Sequence, residues 1–246
     1  MNFTYDSYCS LLSLIEQSGY EIADYNNWAE KERCVILRHD VDNDLSKALK
    51  MAQIEQSKGV ESTYFILVTS DFYNVFSRNN RRKILDIMKC GHQIGLHFDE
   101  TAYSIQSVGG GYGAICDKII YEAKLLEMVT EKPVKVVSVH RIKGEMLKEN
   151  LVIPGMVNAY GSQYFEEFKY VSDSRRQWRE PVEEIVASGK YNRLQILTHA
   201  FWYEENEKNL HDTVSSFINA ANQQRYEAYR DNFTDLDSVM GIKEIC

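Results

Sequence analysis

The chain has 246 residues, 44% hydrophobic and 26% charged, enough apolar material for a core that needs no disulfide staple. Its formal net charge of −8 sets it apart from proteins that grip phosphate backbones, so no nucleic-acid partner is expected. The five cysteines, Cys9, Cys34, Cys90, Cys116 and Cys246, form no CxxC pair. The start lacks a basic and then apolar leader, and no run approaches the ~18 apolar residues of a membrane span, so a cytoplasmic protein without membrane insertion is expected.

In chain order, short apolar runs alternate with helical patterns. An opening helix carries Leu11, Leu12, Leu14 and Ile15. Residues 34–38 read as a buried strand, after which Asn43 or Asp44 can cap a helix with Leu45, Ala48, Leu49 and Ala52 on its apolar face, closed by Gly59. A second strand covers 63–68. A helix over 81–90, with Ile84, Ile87 and Met88 on one side, stops at Gly91 before a third strand at 93–97. Gly109-Gly-Gly-Tyr-Gly113 lacks the Lys-Ser/Thr ending of a P-loop and reads as a mobile loop over the site. It leads into a helix marked by Ile115, Ile119, Ala123 and Leu126. Residues 134–139 form the fourth strand, 156–160 and 168–172 two weaker ones. Pro181 opens a short helix, 194–198 form the seventh strand, and a last helix carries Leu210, Val214, Phe217, Ile218 and Ala221.

Such alternation implies parallel strands joined by crossover helices. Nothing marks a domain boundary, so one α/β domain over 1–246 is expected. About seven units suit a closed or nearly closed TIM-like barrel; an open doubly wound sheet fits the alternation almost as well. The placement of polar residues favours the barrel, whose active site lies at the C-terminal ends of its strands. Strand one runs into His39-Asp40-Val41-Asp42, strand three ends in His97-Phe98-Asp99, strand four in His140-Arg141, strand six in Asp173 and strand seven in His199. Four of the six histidines are thus expected at one rim; His92, at the start of its strand, and His211, on the last helix, read as structural or solvent-facing. Asp40 and Asp42, at i and i+2, face one side of a strand. Two such carboxylates would repel, and a divalent cation resolves the conflict by binding one and leaving the other ionised as a base. Oxygen from Asp42 with nitrogen from His97 suits zinc, and also cobalt, nickel or manganese.

The segments Arg38-His-Asp-Val-Asp42 and Gly91-His-Gln-Ile-Gly-Leu-His97 resemble the first two motifs of the NodB-type polysaccharide deacetylases, the family 4 carbohydrate esterases, over roughly residues 33–200. The resemblance implies a distorted seven-stranded (β/α) barrel, here with extra N- and C-terminal helices. It implies a metal-dependent hydrolase acting on C–N bonds other than peptide bonds, which removes an acyl group, typically N-acetyl, from a saccharide or sugar derivative. Surface-polysaccharide synthesis is the implied setting. By that resemblance Asp40 is the general base, Asp42 and His97 are metal ligands, and His199 is the general acid. Asp173 and Trp178 echo the motif that tunes that acid, and the segment from His140 and Arg141 to Gly144 stands where an arginine motif orients the base. The family's second motif has a further histidine four residues after the first, where this chain has Thr101. The third ligand is then expected from His140 first, from Asp99 second and from Glu100 third. Trp202, just after His199, can stack on a sugar ring. Two competing readings are a metal-dependent sugar-nucleotide transferase that uses Asp40-Val41-Asp42, and a catalytically inactive barrel that binds saccharide.

Overall fold

In the computed structural model, which describes residues 1–103, 111–141 and 150–245, the strands are all parallel. They are β1 (Glu21–Ala23), β2 (Cys34–Val41), β3 (Thr63–Leu67), β4 (Gln93–Phe98), β5 (Val136–Val139), β6 (Val157–Asn158), β7 (Lys169–Ser172) and β8 (Arg193–Thr198). Their order is β6-β5-β4-β3-β2-β8-β7. β3 pairs with the upper half of β2, from Arg38 to Val41, and the short β1 with its lower half, from Cys34 to Ile36. The result is a curled sheet, seven strands in sequence with β1 added beside β2, and helices around it: a TIM-like α/β barrel in which β6 and β7, at the two ends, are not paired with each other among the described residues. All seven expected strands are present, and from β2 they run in chain order to β6 on one side and back through β8 to β7 on the other, the order of a barrel rather than of an open doubly wound sheet. β1 was not expected: three residues are too few to show a period.

Side-chain caps start the first two helices. Helix α1 (Tyr5–Gln17) starts where the Thr4 side chain accepts from Ser7 N–H. Helix α2 (Leu45–Ser57) is capped by Asp44, whose carboxylate accepts from the Ser46 and Lys47 N–H groups. Helices α3 (Arg78–Lys89), α4 (Gly111–Thr130), α5 (Gln163–Glu166) and α6 (Val182–Ser188) follow. Pro181 is the residue before α6 rather than within its first turn. Of the glycine run at 109–113 expected as a loop over the site, Gly111, Tyr112 and Gly113 instead open α4, and Gly109 and Gly110 lie outside the described residues.

Two apolar layers follow from strand alternation. Val35, Leu37, Leu96, Val137 and Ile196 belong to the larger cluster with residues of the surrounding helices. Ile36, Phe65, Val136 and Tyr164 form a smaller one inside the curl. Gly95 belongs to that inner face: a Cβ there would lie 2.6 Å from Phe65 ring carbons and 3.1 Å from the Val136 carbonyl. The aromatic floor beneath the site therefore requires a residue without a side chain at this position.

The chain divides into two compact units, Met1–Tyr203, which holds the barrel, and Glu204–Cys246. In the second, helix α7 (Leu210–Arg230) begins at an Asn209 cap, and Tyr226 donates to Asp237 Oδ1 at 2.6 Å or to the Met240 carbonyl at 2.7 Å. No helix among the described residues is long and apolar enough to cross a membrane.

Candidate active site

Period-2 alternation decides which side chains meet. On β2, Arg38 and Asp40 share the inward parity of Cys34 and Ile36, and Asp42 continues it just past the strand. His97 has the parity of Gly95 on β4, and Ser138 that of Val136 on β5, with His140 following. His199 comes directly after β8.

Three of these put ligand atoms together. Asp42 Oδ1 is 3.1 Å from His97 Nε2 and 3.4 Å from His140 Nδ1, and the two nitrogens are 3.1 Å apart. Among the described residues this is the one group of His, Cys, Asp or Glu with metal-site geometry. Zinc–nitrogen bonds of about 2.0–2.1 Å at tetrahedral angles separate ligand atoms by roughly 3.3 Å, so the donor set fits such an ion. Asp42 Oδ1 is buried without a hydrogen-bond partner among the described residues, the state of a carboxylate oxygen shaped for a cation. Burial pushes the Asp42 carboxyl up, but the adjacent His140 and His97 outweigh it and hold it well below the usual carboxylate range.

Asp40 lies beside this group, 3.8 Å from His97 Nε2. Arg38 Nη2 sits 2.9 and 2.8 Å from its two carboxylate oxygens, and the Ser138 hydroxyl 3.5 and 3.4 Å. Burial raises the Asp40 carboxyl, and Arg38, with His97 and His199, brings it below its ordinary value. Arg38 is itself wholly buried, its guanidinium 4.8 Å from the Phe65 ring centre and 4.7 Å from that of Tyr160. Its Nε and Nη1 have no hydrogen-bond partner among the described residues; the two aromatic faces provide the favourable contact instead.

His199 stands opposite, with Nε2 4.0 Å from Asp42 Oδ2. Its Nδ1 is 2.6 Å from Asp173 Oδ1, and its backbone N–H also faces the fully buried Asp173 carboxylate, at 3.0 and 3.1 Å. Burial opposes the charge on His199, but Asp173 prevails, with Asp42 and Asp40 adding to it, and the imidazole rises to about 9. The buried Asp173 carboxylate thus favours the protonated form of the ring.

Other expected residues are placed differently. His39 is not at the rim. It has the opposite parity to Asp40, so its Nε2 meets Glu55 Oε1 at 2.9 Å and its Nδ1 meets Thr198 Oγ1 at 2.6 Å behind the sheet. Asp99 is outside the ligand group, since its Oδ1 accepts from the Thr101 N–H and hydroxyl at 2.9 and 2.7 Å, and Glu100 is outside it too. Arg141 is exposed, at a left-handed φ of 51° where the chain turns after β5; Arg38 is the arginine at Asp40. Trp202 is half-buried in the turn after His199, its indole N–H without a partner among the described residues, as is that of Trp178. His92 is buried at the far end of the sheet against Ser62 and the Ala52 carbonyl, and His211 is solvent-facing. Sequence reasoning missed Arg38 and Ser138; for Arg38 the signal was available in its i, i+2 relation to Asp40.

No family model matches this sequence, and no curated protein does. Among solved structures, a family 4 carbohydrate esterase pseudoenzyme from Bacillus anthracis aligns at a TM-score of 0.45 and 16% identity, covering 79% of this chain and 62% of that one. A family 4 acetyl xylan esterase from Clostridium thermocellum, in complex with a cobalt ion, aligns at 0.42 and 12%, covering 77% and 84%. IcaB from Ammonifex degensii aligns at 0.44 and 9%, covering 87% of each. This chain spans somewhat under two thirds of the length of the pseudoenzyme.

Proposed function

We propose that this chain is a divergent family 4 carbohydrate esterase, a metal-dependent hydrolase that removes an acyl group, typically N-acetyl, from a saccharide or sugar derivative. The observation that carries the reading is the convergence of Asp42 Oδ1, His97 Nε2 and His140 Nδ1 between an Arg38-held carboxylate and an Asp173-held imidazole.

Asp42, His97 and His140 would hold the ion, zinc first, with cobalt, nickel or manganese as other occupants. Bound there, it would supply a Lewis acid for the acyl oxygen and lower the pKa of a water toward neutrality. Asp40, kept ionised by Arg38, accepts the proton of the attacking water. His199, kept protonated by Asp173, gives its proton to the departing amine or alkoxide. Trp202 borders the rim as a stacking surface for a sugar ring. The arrangement supports hydrolysis over sugar-nucleotide transfer: a diphosphate-bound metal needs both acids of Asp40-Val41-Asp42 reachable from outside, and Asp40 is almost wholly buried under Arg38 and Ser138. The scattered cysteines fit a cytoplasmic setting.

The test is metal analysis of the purified chain together with acetate release from N-acetylated oligosaccharides, with and without a chelator. Bound metal and chelator-sensitive release support the reading. Bound metal without release from any acylated sugar supports the inactive saccharide-binding barrel, and release that survives the chelator ends the metal assignment.

A further inference from the structure

Ser138 lies on the inward face of β5, fully buried, with Arg38, Asp40 and His97 around its hydroxyl. Arg38 Nη2 donates to Ser138 Oγ. Asp40 is 3.4 Å away through Oδ2 and His97 Nδ1 is 3.1 Å away. A serine hydroxyl has one proton to give and two lone pairs to fill. A guanidinium only donates and an ionised carboxylate only accepts, so two of the three contacts have a fixed direction.

For a neutral ring, the form that can bind a cation, the remaining contact, to His97, can run either way. If Ser138 gave its proton to Nδ1, its oxygen would face the Asp40 carboxylate with no hydrogen between them, and the ring proton would sit on Nε2, aimed at Asp42 Oδ1 and His140 Nδ1. If the ring proton sits on Nδ1, every contact has its own hydrogen: Arg38 and His97 donate to Oγ, and Oγ–H donates to Asp40. Nε2 then presents a bare lone pair to Asp42 and His140. Only the second arrangement leaves all three ligand atoms free to bind a cation.

We propose that Ser138 is the positioning residue that fixes the Nδ1–H tautomer of His97 and joins this metal ligand to the Asp40 carboxylate through one hydroxyl. The proposal rests on the metal reading of Asp42, His97 and His140. Hydrogen bonds behind a metal-binding histidine orient the ring and raise its ligand strength, and their loss typically costs about 10–100-fold in metal affinity.

The experiment uses the full chain labelled with 15N at histidine, metal-free and then titrated with zinc against a competing chelator. Wild type should show His97 protonated at Nδ1. Ser138→Ala should move the ring toward the Nε2–H form and weaken zinc binding roughly tenfold or more. Ser138→Thr, which keeps the hydroxyl, should recover most of both. Should Ser138→Ala fail to fold, Ser138→Cys replaces the oxygen by a weak donor of similar size and has the same expected signs. An unchanged tautomer and zinc affinity within about twofold of wild type would overturn the proposal and leave the metal site standing. A tautomer shift in a protein that binds no zinc in any form would uphold the role of Ser138 in setting the ring and sink the metal reading instead.

Discussion

Arg38 and Asp40 stand two residues apart on one face of one strand, with Arg38 Nη2 2.9 and 2.8 Å from the two oxygens of Asp40. A strand places i and i+2 side by side without help from any other element, so the proposed base and its counter-ion form as soon as β2 does. Both side chains are buried, the arginine completely, and removing one partner of such a pair leaves an uncompensated charge in the interior.

Arg38→Met should therefore destabilise the protein by about 3–5 kcal/mol at neutral pH. The sign with pH follows from Asp40. Its carboxyl lies below its ordinary value, because Arg38 overcomes the effect of burial. Its contribution is thus present above the unfolded value of about 3.9 and is lost as pH falls below it. In Arg38→Met the carboxyl moves up, and the deficit relative to wild type shrinks in acid. Adding Asp40→Asn should recover much of the neutral-pH loss. Urea midpoints at neutral and acidic pH check this, and a neutral-pH midpoint equal to wild type would count against the pairing.

The separate roles around the proposed ion predict separable losses. Asp42→Ala should strip bound metal. Asp40→Asn and His199→Ala should leave metal content near wild type while turnover falls by about 10²–10⁴-fold, the usual range for one acid or base. Metal content by mass spectrometry beside acetate release distinguishes them, and full activity in Asp40→Asn would end the base assignment.

What could be read beforehand depended on whether a residue signals its face or only its position. Asp40 and Asp42 were legible because period 2 fixes their side. The same rule excludes His39 from the rim, yet proximity to the strand end concealed that. Arg38 obeys the rule too and was overlooked because motif order pointed to Arg141, which the left-handed turn after β5 leaves exposed. Ser138 gives no signal at all: one serine within an apolar strand looks like packing until the neighbouring strands supply its partners. The convergence of His140 with His97 depends on β4 and β5 being neighbours, which the alternation of elements implied and the pairing of His97 with Ser138 realises.

Gly95 tests the floor of the site. An added Cβ would lie 2.6 Å from the Phe65 ring and 3.1 Å from the Val136 carbonyl, and the carbonyl belongs to a strand that cannot easily give way. Gly95→Ala should cost about 1–3 kcal/mol or more through overpacking. It should also disturb His97, two residues on, and so weaken metal binding. Phe65→Leu in the same chain should recover part of the stability. A thermal midpoint in Gly95→Ala unchanged from wild type would mean that the ring and strand relax freely.

Glu55 governs β2 from the opposite side. Its buried carboxylate takes the hydroxyls of Tyr8 at 2.5 Å, Tyr64 at 2.6 Å and Ser62 at 2.8 Å, and lies 2.9 Å from His39 Nε2. Burial pushes this carboxyl up, but His39, followed by His92 and Tyr64, draws it down to about 2. A depressed carboxyl contributes stability that is present above its unfolded value, about 4.3, and is lost as pH falls through about 2. The shift corresponds to a contribution on the order of 3 kcal/mol. Glu55→Gln replaces one acceptor oxygen by an NH2 group, which then faces hydroxyls that must find new acceptors. The variant should be destabilised by a comparable amount at neutral pH, and the difference should narrow toward pH 2. Because His39 lies between Arg38 and Asp40 on the same strand, loosening its anchor should also broaden the Asp40 and Asp42 geometry and weaken metal binding. Equal denaturant midpoints for Glu55→Gln and wild type at neutral pH would show that the four partners are satisfied without the charge, and that β2 is held by its sheet pairing alone.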